Sequence, residues 1–516
     1  MNKLLHYVAL FCLLSLVGWG TLEAQETGPV VEGGVLISWS GASGQVTIPD
    51  DVTEIAPNVF LKNNKVTALH LNKVHKVGKN ACREMRSVVD FSAPEVEILE
   101  DSALYRLGSW RARQFHEADF PQLKKIGTAA LAWALTPKFY TLPQVEEIGK
   151  EAFNKSAPWS VDLSEAVNLR TIAPDAFPFA SPRGEDQCYI FVANEAVLAK
   201  MPTTFPDRIF TRVVRIDRST PIASVKITLP QGADFGRALP WVGSYTKGKV
   251  VGMDLGDGKI RLFALVNSVY SSQEPTFYKF NGMQWLKSAV ADPEIKVYGT
   301  DFDCFCTPWA AMTQLDLSKA TQLKKLDLED IPQSLLPDLA SYSQLERLSL
   351  YGISGLEQLD LSRNSLKWLE IRSCDTLQAV VLPPSGLETL TINRCRNLTH
   401  IDEAPLASVQ QLDVSYNALS GTLDLSGAKQ LKEADLSSNK LTELTINNPL
   451  LTDLRCSRNQ LKEIHTPTTG EALQGVRSVA IAGNRIQEGE LNRFYTALPD
   501  LKQEATAGKL ILLAKI

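Results

Sequence analysis

The sequence predicts a mainly β protein in which two stacks of short parallel strands flank a small antiparallel β domain. Three observations predict it. A short motif of one aliphatic residue, three spacers, a small residue and a large apolar one recurs through the N-terminal part. A leucine-spaced motif recurs from near Leu315 onward. Between them, roughly from Val213 to Val297, both vanish and apolar–polar alternation takes over. A chain of 516 residues is too long for one compact core. Its 44% hydrophobic and 22% charged residues are those of a folded protein. A net charge of −5 argues against nucleic acid as partner, because phosphate binding wants a basic face.

The first element in chain order is a targeting segment. Lys3 supplies a positive start, Tyr7 to Val17 is apolar, and Leu22-Glu23-Ala24 ends in a small residue before Gln25. This predicts a signal peptide over residues 1–24. The apolar run is too short to span a bilayer and no later run is long enough, so an exported protein without a transmembrane segment is expected. Cys12 follows the bulky Phe11, which does not suit lipid attachment. Seven cysteines would remain: Cys82, Cys188, Cys304, Cys306, Cys374, Cys395 and Cys456. Their odd count and scattered spacing make no disulfide framework.

Residues 25–205 carry the first array. Its copies are anchored at Ile55, Val77, Leu99, Ile126, Ile148 and Ile172, in steps of 22, 22, 27, 22 and 24 residues. In Ile148-GKE-Ala152-Phe153 the large residue plugs the core and the alanine lets adjacent turns approach. Each unit has an apolar edge too small to bury alone, and stacking makes a continuous core. Strand-like pieces such as Val46-Thr47-Ile48 and Ala68-Leu69-His70 lie between anchors, and residues 33–39 read as an edge cap.

Residues 206–300 read as the antiparallel domain, or as an elaborate cap joining the two solenoids, with strands near 224–229, 249–255, 259–265 and 294–298. Gly256-Asp257-Gly258 makes a tight hairpin between two of them.

Residues 301–516 carry the second array, L-x-x-L-x-L-x-x-N-x-L. Leu356-EQ-Leu359-D-Leu361-SR-Asn364-S-Leu366 is one clear copy; others centre on Leu412, Ala434, Leu454 and Val479. Cys374 and Cys395 take the asparagine place in two more. Strand centres recur every 10 or 11 residues, or about twice that, so one turn of about 21 residues holds two half-units. Helices are not expected inside so short a repeat. Leu491, Phe494, Tyr495 and Leu498 have helical spacing, and with the apolar run 509–513 they would cap the end.

The first array resembles the BspA-type leucine-rich repeats of bacterial surface proteins, on Val46-TIPDDVTEIAPNV-Phe60 and Val145-EEIGKEA-Phe153. The second resembles the short repeats of internalin-like proteins, on Leu412-DVSYNA-Leu419 and Leu436-SSNK-Leu441. The fold implied is two leucine-rich-repeat solenoids around the antiparallel domain. The order of parts is similar to that in Bacteroidetes-type proteins. The resemblance implies export to the surface or beyond, with roles in adhesion, host contact or community formation.

In an L-x-L strand the leucines point inward and the residue between them points out. In the second array those residues are Asp316, Asp327, Ser349, Asp360, Glu370, Thr391, Asp413, Asp424, Asp435, Thr445, Arg455 and Ala480. The acidic excess predicts a stripe that a basic protein surface or a cation would stabilise, or else merely hydrated surface aspartates. Trp368 should emerge on the same face beside Glu370 and Arg372, as a binding hot spot or as a ring laid flat over its neighbours. The candidate partner-binding residues are therefore Asp360, Trp368, Glu370, Arg372, Asp413, Asp424, Asp435 and Arg455. Trp110, Trp133 and Trp159 read as local packing. Asp254, Asp257, Asp301 and Asp303 lack calcium-loop spacing and read as hairpin and edge charges. The histidines are dispersed, no nucleophile or phosphate-loop motif is present, and Cys304 and Cys306 lack a partner base. No enzyme, cofactor or metal is expected. The leading expectation is an exported adhesion or protein-interaction module. The alternatives are a self-associating matrix component and a glycan binder using Trp241 or Trp285 of the central domain.

Overall fold

The computed structural model describes residues 28–498 apart from 109–116, 134–138, 157, 159, 178–187, 204–208, 237, 247–248, 266–275, 278–285, 301, 309, 467–472 and 474. The expected signal segment, the apolar run 509–513, Trp110, Trp159, Trp285 and Asp301 lie outside the described residues. The chain divides into two compact units, Met1–Arg215 and Ile216–Ile516.

In the first unit the anchors form one edge of every turn. Two-residue strands, among them Glu54–Ile55, Lys76–Val77, Ile98–Leu99, Lys125–Ile126, Glu147–Ile148 and Thr171–Ile172, pair in parallel. The antiparallel hairpin Gly28–Glu32 and Val35–Ser40 stands at one end of this 8-stranded sheet. The strand-like pieces between anchors form a 3-stranded and a 5-stranded parallel sheet. The 5-stranded sheet continues through Cys188–Val192 to Ile209–Val213, beyond residue 205. No motif marks those last strands, so the sequence did not show that they belong to this stack.

The motif itself is a ladder of backbone bonds. The plug residue of one turn donates to the small residue of the next: Phe60 N–H to Ala81 O at 2.7 Å, Cys82 to Ala103 at 2.9 Å, Leu104 to Ala130 at 3.0 Å and Leu131 to Ala152 at 2.9 Å. Left-handed residues flank the plugs from Phe60 to Phe153, as at Asn80 (φ 56) and Glu84 (φ 60), and turn the chain so that alternate N–H groups face the neighbouring coil. Plugs and anchors share one buried cluster. The turns approach so closely that a Cβ on Gly149 would stand 2.8 Å from the Ile126 carbonyl oxygen, which explains the glycine.

The second unit contains the small antiparallel domain and the second stack. The antiparallel sheet has the order Ile260–Ala264, Val250–Asp254, Glu294–Tyr298, Ala223–Ile227, Met312–Asp316. The hairpin falls at Gly256-Asp257-Gly258, where Asp254 Oδ1 accepts from the N–H groups of Gly256 at 2.9 Å, Asp257 at 3.1 Å and Gly258 at 2.9 Å. An 11-stranded sheet follows, parallel from Cys304–Cys306 through Lys325–Glu329, Arg347–Tyr351, Trp368–Arg372, Thr389–Asn393, Gln411–Asp413, Glu433–Asp435 and Asp453–Arg455 to Ser478–Ala480.

The intervening half-units pair elsewhere. Gln358–Asp360 pairs with Ala379–Val381; Ser420–Asp424 pairs with Lys440–Thr445, which pairs in turn with Glu463–His465. The 10- or 11-residue step is therefore a crossing from one side of the coil to the other. Leu359, Leu412 and Leu436 are all buried. Short 3₁₀ turns at Gln333–Leu335, Leu339–Ser341 and Ala404–Ser408 fill some crossings, and a helix, Glu488–Thr496, follows the last described strand.

Asparagines tie the turns together. Asn439 is buried; its Oδ1 accepts from Leu419 N–H at 3.0 Å while Nδ2 donates to Val414 O at 2.8 Å and Leu436 O at 3.0 Å. Asn417, Asn459 and Asn484 repeat the pattern. The residue before each is left-handed, with Tyr416 at φ 57, Ser438 at φ 59, Arg458 at φ 57 and Gly483 at φ 77.

Candidate partner-binding face

The outward residues of the long parallel sheet form two registered columns. One runs Lys325, Arg347, Trp368, Thr389, Gln411, Glu433, Asp453 and Ser478. The other runs Asp327, Ser349, Glu370, Thr391, Asp413, Asp435, Arg455 and Ala480. Of the sequence-picked residues, Trp368, Glu370, Arg372, Asp413, Asp435 and Arg455 share this sheet. Asp360 lies on the two-stranded sheet and Asp424 on a three-stranded sheet. Asp316 lies in the antiparallel sheet, where its strand pairs with Ala223–Ile227. The twelve-residue stripe is thus divided among four sheets. The reason is that L-x-L reads the same on either side of a coil and in any sheet with one buried face.

The aspartates also have a local task. Asp360 Oδ1 accepts from Ser362 N–H at 2.9 Å, Asp413 from Ser415 at 2.9 Å, Asp424 from Ser426 at 2.8 Å and Asp435 from Ser437 at 2.9 Å. In L-D-x-S the carboxylate holds the corner where the strand bends. Hydrogen bonds from Ser362, Ser426 and Ser318 hold Asp360, Asp424 and Asp316 below the usual carboxylate range. Asp413 Oδ2 further accepts from Asn393 Nδ2 at 2.9 Å.

The sharpest feature of the face surrounds Trp368, which is half-buried. In register beside it, the Arg347 guanidinium lies 5.1 Å from the indole centroid. Arg347 also donates to the Tyr245 hydroxyl, whose pKa burial raises. Arg372 pairs with Glu370 on the same strand, and Tyr351, 41% exposed, is registered against Arg372. Lys325 Nζ stands 3.2 Å from Asp327 Oδ2, and Cys306 Sγ donates to that oxygen at 3.3 Å. This end of the face is aromatic with its charges paired. Further along, Asp413 and Asp435 are registered neighbours beside the exposed Glu433, and Arg455 pairs with Asp453 at 3.2 Å. That end is acidic.

Arg347, Tyr351 and Tyr245 were not singled out from sequence. Adding one turn of about 21 residues to Arg347 lands on Trp368, so the column was legible once the full turn replaced the half-unit as the period. Tyr245 reaches the site through tertiary structure alone. In the first unit, Trp133 lies between two cations, with Arg106 at 4.5 Å and Lys155 at 5.0 Å from its ring. Trp241 is half-buried, in a strand registered against Cys306. Asp303 accepts from Tyr245 N–H at 3.0 Å, and Asp257 pairs with Arg261 at 2.8 Å.

The class this geometry defines is a leucine-rich-repeat solenoid. No protein-family model matches the chain, and no curated protein does. Solved structures similar to it are leucine-rich-repeat proteins. A plant peptide hormone receptor, solved with RGF2, is 12% identical over 90% of this chain, with a TM-score of 0.27. This chain spans 61% of that receptor's length. A leucine-rich cell surface protein of Faecalibacterium prausnitzii A2-165 is 11% identical, covering 90% of this chain and 96% of that one, at a TM-score of 0.22. A leucine-rich-repeat protein of Bacteroides ovatus is 14% identical, covering 80% and 96%, at 0.19. Among the described residues, no helix is long and apolar enough to cross a membrane.

Proposed function

We propose that this is an exported, non-enzymatic binding protein that docks another protein on the open face of its long parallel sheet. The resemblance of its repeats to BspA-type and internalin-like ones supports, in this reading, a role at a bacterial surface in adhesion or host contact. The observation that carries the docking reading is the group Arg347, Trp368, Glu370, Arg372 and Tyr351. It is a half-buried indole held by a cation, ringed by paired charges and a second exposed aromatic. Such a group has large apolar area to bury and polar neighbours already oriented, which is the composition of binding hot spots. The acidic neighbours Asp413, Glu433 and Asp435 extend the same face, and they fit basic groups on the partner.

The test uses the full chain immobilised against surface-protein fractions of host and bacterial cells, with a glycan array in parallel. Trp368→Ala is expected to lower retention of a bound protein at least tenfold while the melting temperature stays within a few degrees. Unchanged retention, or binding only to glycans, overturns the proposal.

A further inference from the structure

Two consecutive turns of the second stack carry cysteine where later turns carry the interlocking asparagine. Strands Trp368–Arg372 and Thr389–Asn393 pair in register to their ends, Arg372 opposite Asn393. The ladder runs one residue further, with Ser373 N–H donating to Asn393 O at 3.1 Å. Ser373 (φ 54) and Arg394 (φ 56) make the same left-handed bend, and Cys374 and Cys395 are the residues that follow. Both side chains are fully buried and take equivalent places at the ends of registered strands: Cys374 Sγ donates to Arg372 O at 3.5 Å and reaches Leu350 O at 4.0 Å, and Cys395 Sγ donates to Asn393 O at 3.5 Å. Asn417 Oδ1 fixes Cys395 by accepting its N–H at 2.8 Å. Adjacent strands lie about 4.8 Å apart, inside the Cα separation of about 4.4–6.8 Å that a disulfide needs. At the asparagine turns, side chains tie each coil to the one before; a thiol cannot supply the same donors and acceptor, but a covalent link between coils would replace them.

We propose that Cys374 and Cys395 form a disulfide joining two consecutive turns of the solenoid, a cross-link beyond the docking role above. The oxidant is a disulfide, either a small molecule or an oxidase protein. The thiolate of one cysteine attacks an oxidant sulfur, breaking the oxidant's S–S bond and releasing one thiol. The other cysteine then displaces the second oxidant thiol as the new S–S bond forms. Two thiols become one disulfide, the oxidant is reduced to two thiols, and the two protons pass to them. Because both side chains are buried in the closed coil, exchange takes place while the coils are still forming. Cys304 and Cys306 are engaged differently, donating to Asp303 and Asp327 at 3.3 Å each. Burial pushes the Cys82 and Cys456 thiols up to about 12, away from ready thiolate formation. The link would sit at the end of the strand that carries Trp368, Glu370 and Arg372, and it would hold that strand against its neighbour.

The experiment refolds the full chain in a mixture of oxidised and reduced glutathione, alkylates it with iodoacetamide in denaturant and digests it with trypsin without reduction. The expected product is a peptide covering residues 373–394 joined to Cys395-Arg396, with two fewer alkylated thiols than in the reduced protein. Recovery of both cysteines alkylated, or of either joined to a different cysteine, overturns the proposal. As a second measurement, reduction is expected to lower the melting temperature by about 5 °C or more in the native sequence and to leave that of Cys374→Ser unmoved. A redox shift of equal size in the variant would assign it to another pair.

Discussion

Asn439 illustrates how one residue type specifies a turn. Its amide occupies three backbone groups of two coils in a buried place. Replacing it by leucine, which keeps volume but not hydrogen bonding, leaves Leu419 N–H and the Val414 and Leu436 carbonyls without that partner. A loss of about 3 kcal/mol is expected, read from the urea midpoint of the second unit. The corner aspartates act more weakly, being exposed, but they make stability depend on pH. Asp316, Asp360 and Asp424 have folded pKa values depressed by their serine partners. Their contribution is therefore complete above the unfolded value of about 3.9 and is lost as pH falls through the folded ones. Urea midpoints should fall below about pH 4, and the fall should be shallower in an Asp316→Asn, Asp424→Asn double variant. The asparagines and aspartates were visible in the sequence as L-D-x-S and N-x-L. The asparagines' partners in the preceding coil were not, because those partners stand about one turn away in the chain.

At the scale of the element, the decisive unit is the bend. At the bends that follow the strands of the long parallel sheet the backbone is left-handed, yet most of these residues are not glycine: Tyr416, Ser438 and Arg458 bear side chains where Gly352 and Gly483 do not. An L residue there costs about 1–2 kcal/mol, which the bonds of the following residue offset. Ser438→Gly is expected to raise the unfolding free energy by a few tenths of a kcal/mol to about 1, and Ser438→Val to lower it by 1 or more, since a branched Cβ tolerates this region least. Equal midpoints for the two variants would show that the bend carries no such strain. The sequence hinted at this conformation only through Gly352 and Gly483. The same holds for the first stack, where left-handed residues such as Asn80 and Glu84 flank the plugs without any shared side-chain identity.

At the scale of the molecule, two units each close a core of their own, with Phe153 buried in the first and Leu436 in the second. In stacked repeats stability is carried by nearest-neighbour contacts. Phe153→Ala should therefore cost about 3–5 kcal/mol in the first unit, and Leu436→Ala about 2–5 kcal/mol in the second. Denaturation followed by fluorescence and circular dichroism is expected to show each substitution moving a different part of the transition. A single transition shifted alike by both would contradict independent cores.

By itself the sequence determined the stacked architecture, the inward residues and the antiparallel insert. A solenoid must place the same kind of residue at the same point of every turn, and that demand is written locally as a period. Only the tertiary structure decided which side of the coil each strand joins. That choice divided the aspartates among separate sheets, gathered Arg347 and Tyr245 around Trp368, and set Cys374 against Cys395. The pattern L-x-L says which way a side chain points, but the coil's turn, closed by residues far apart in the chain, says what it faces.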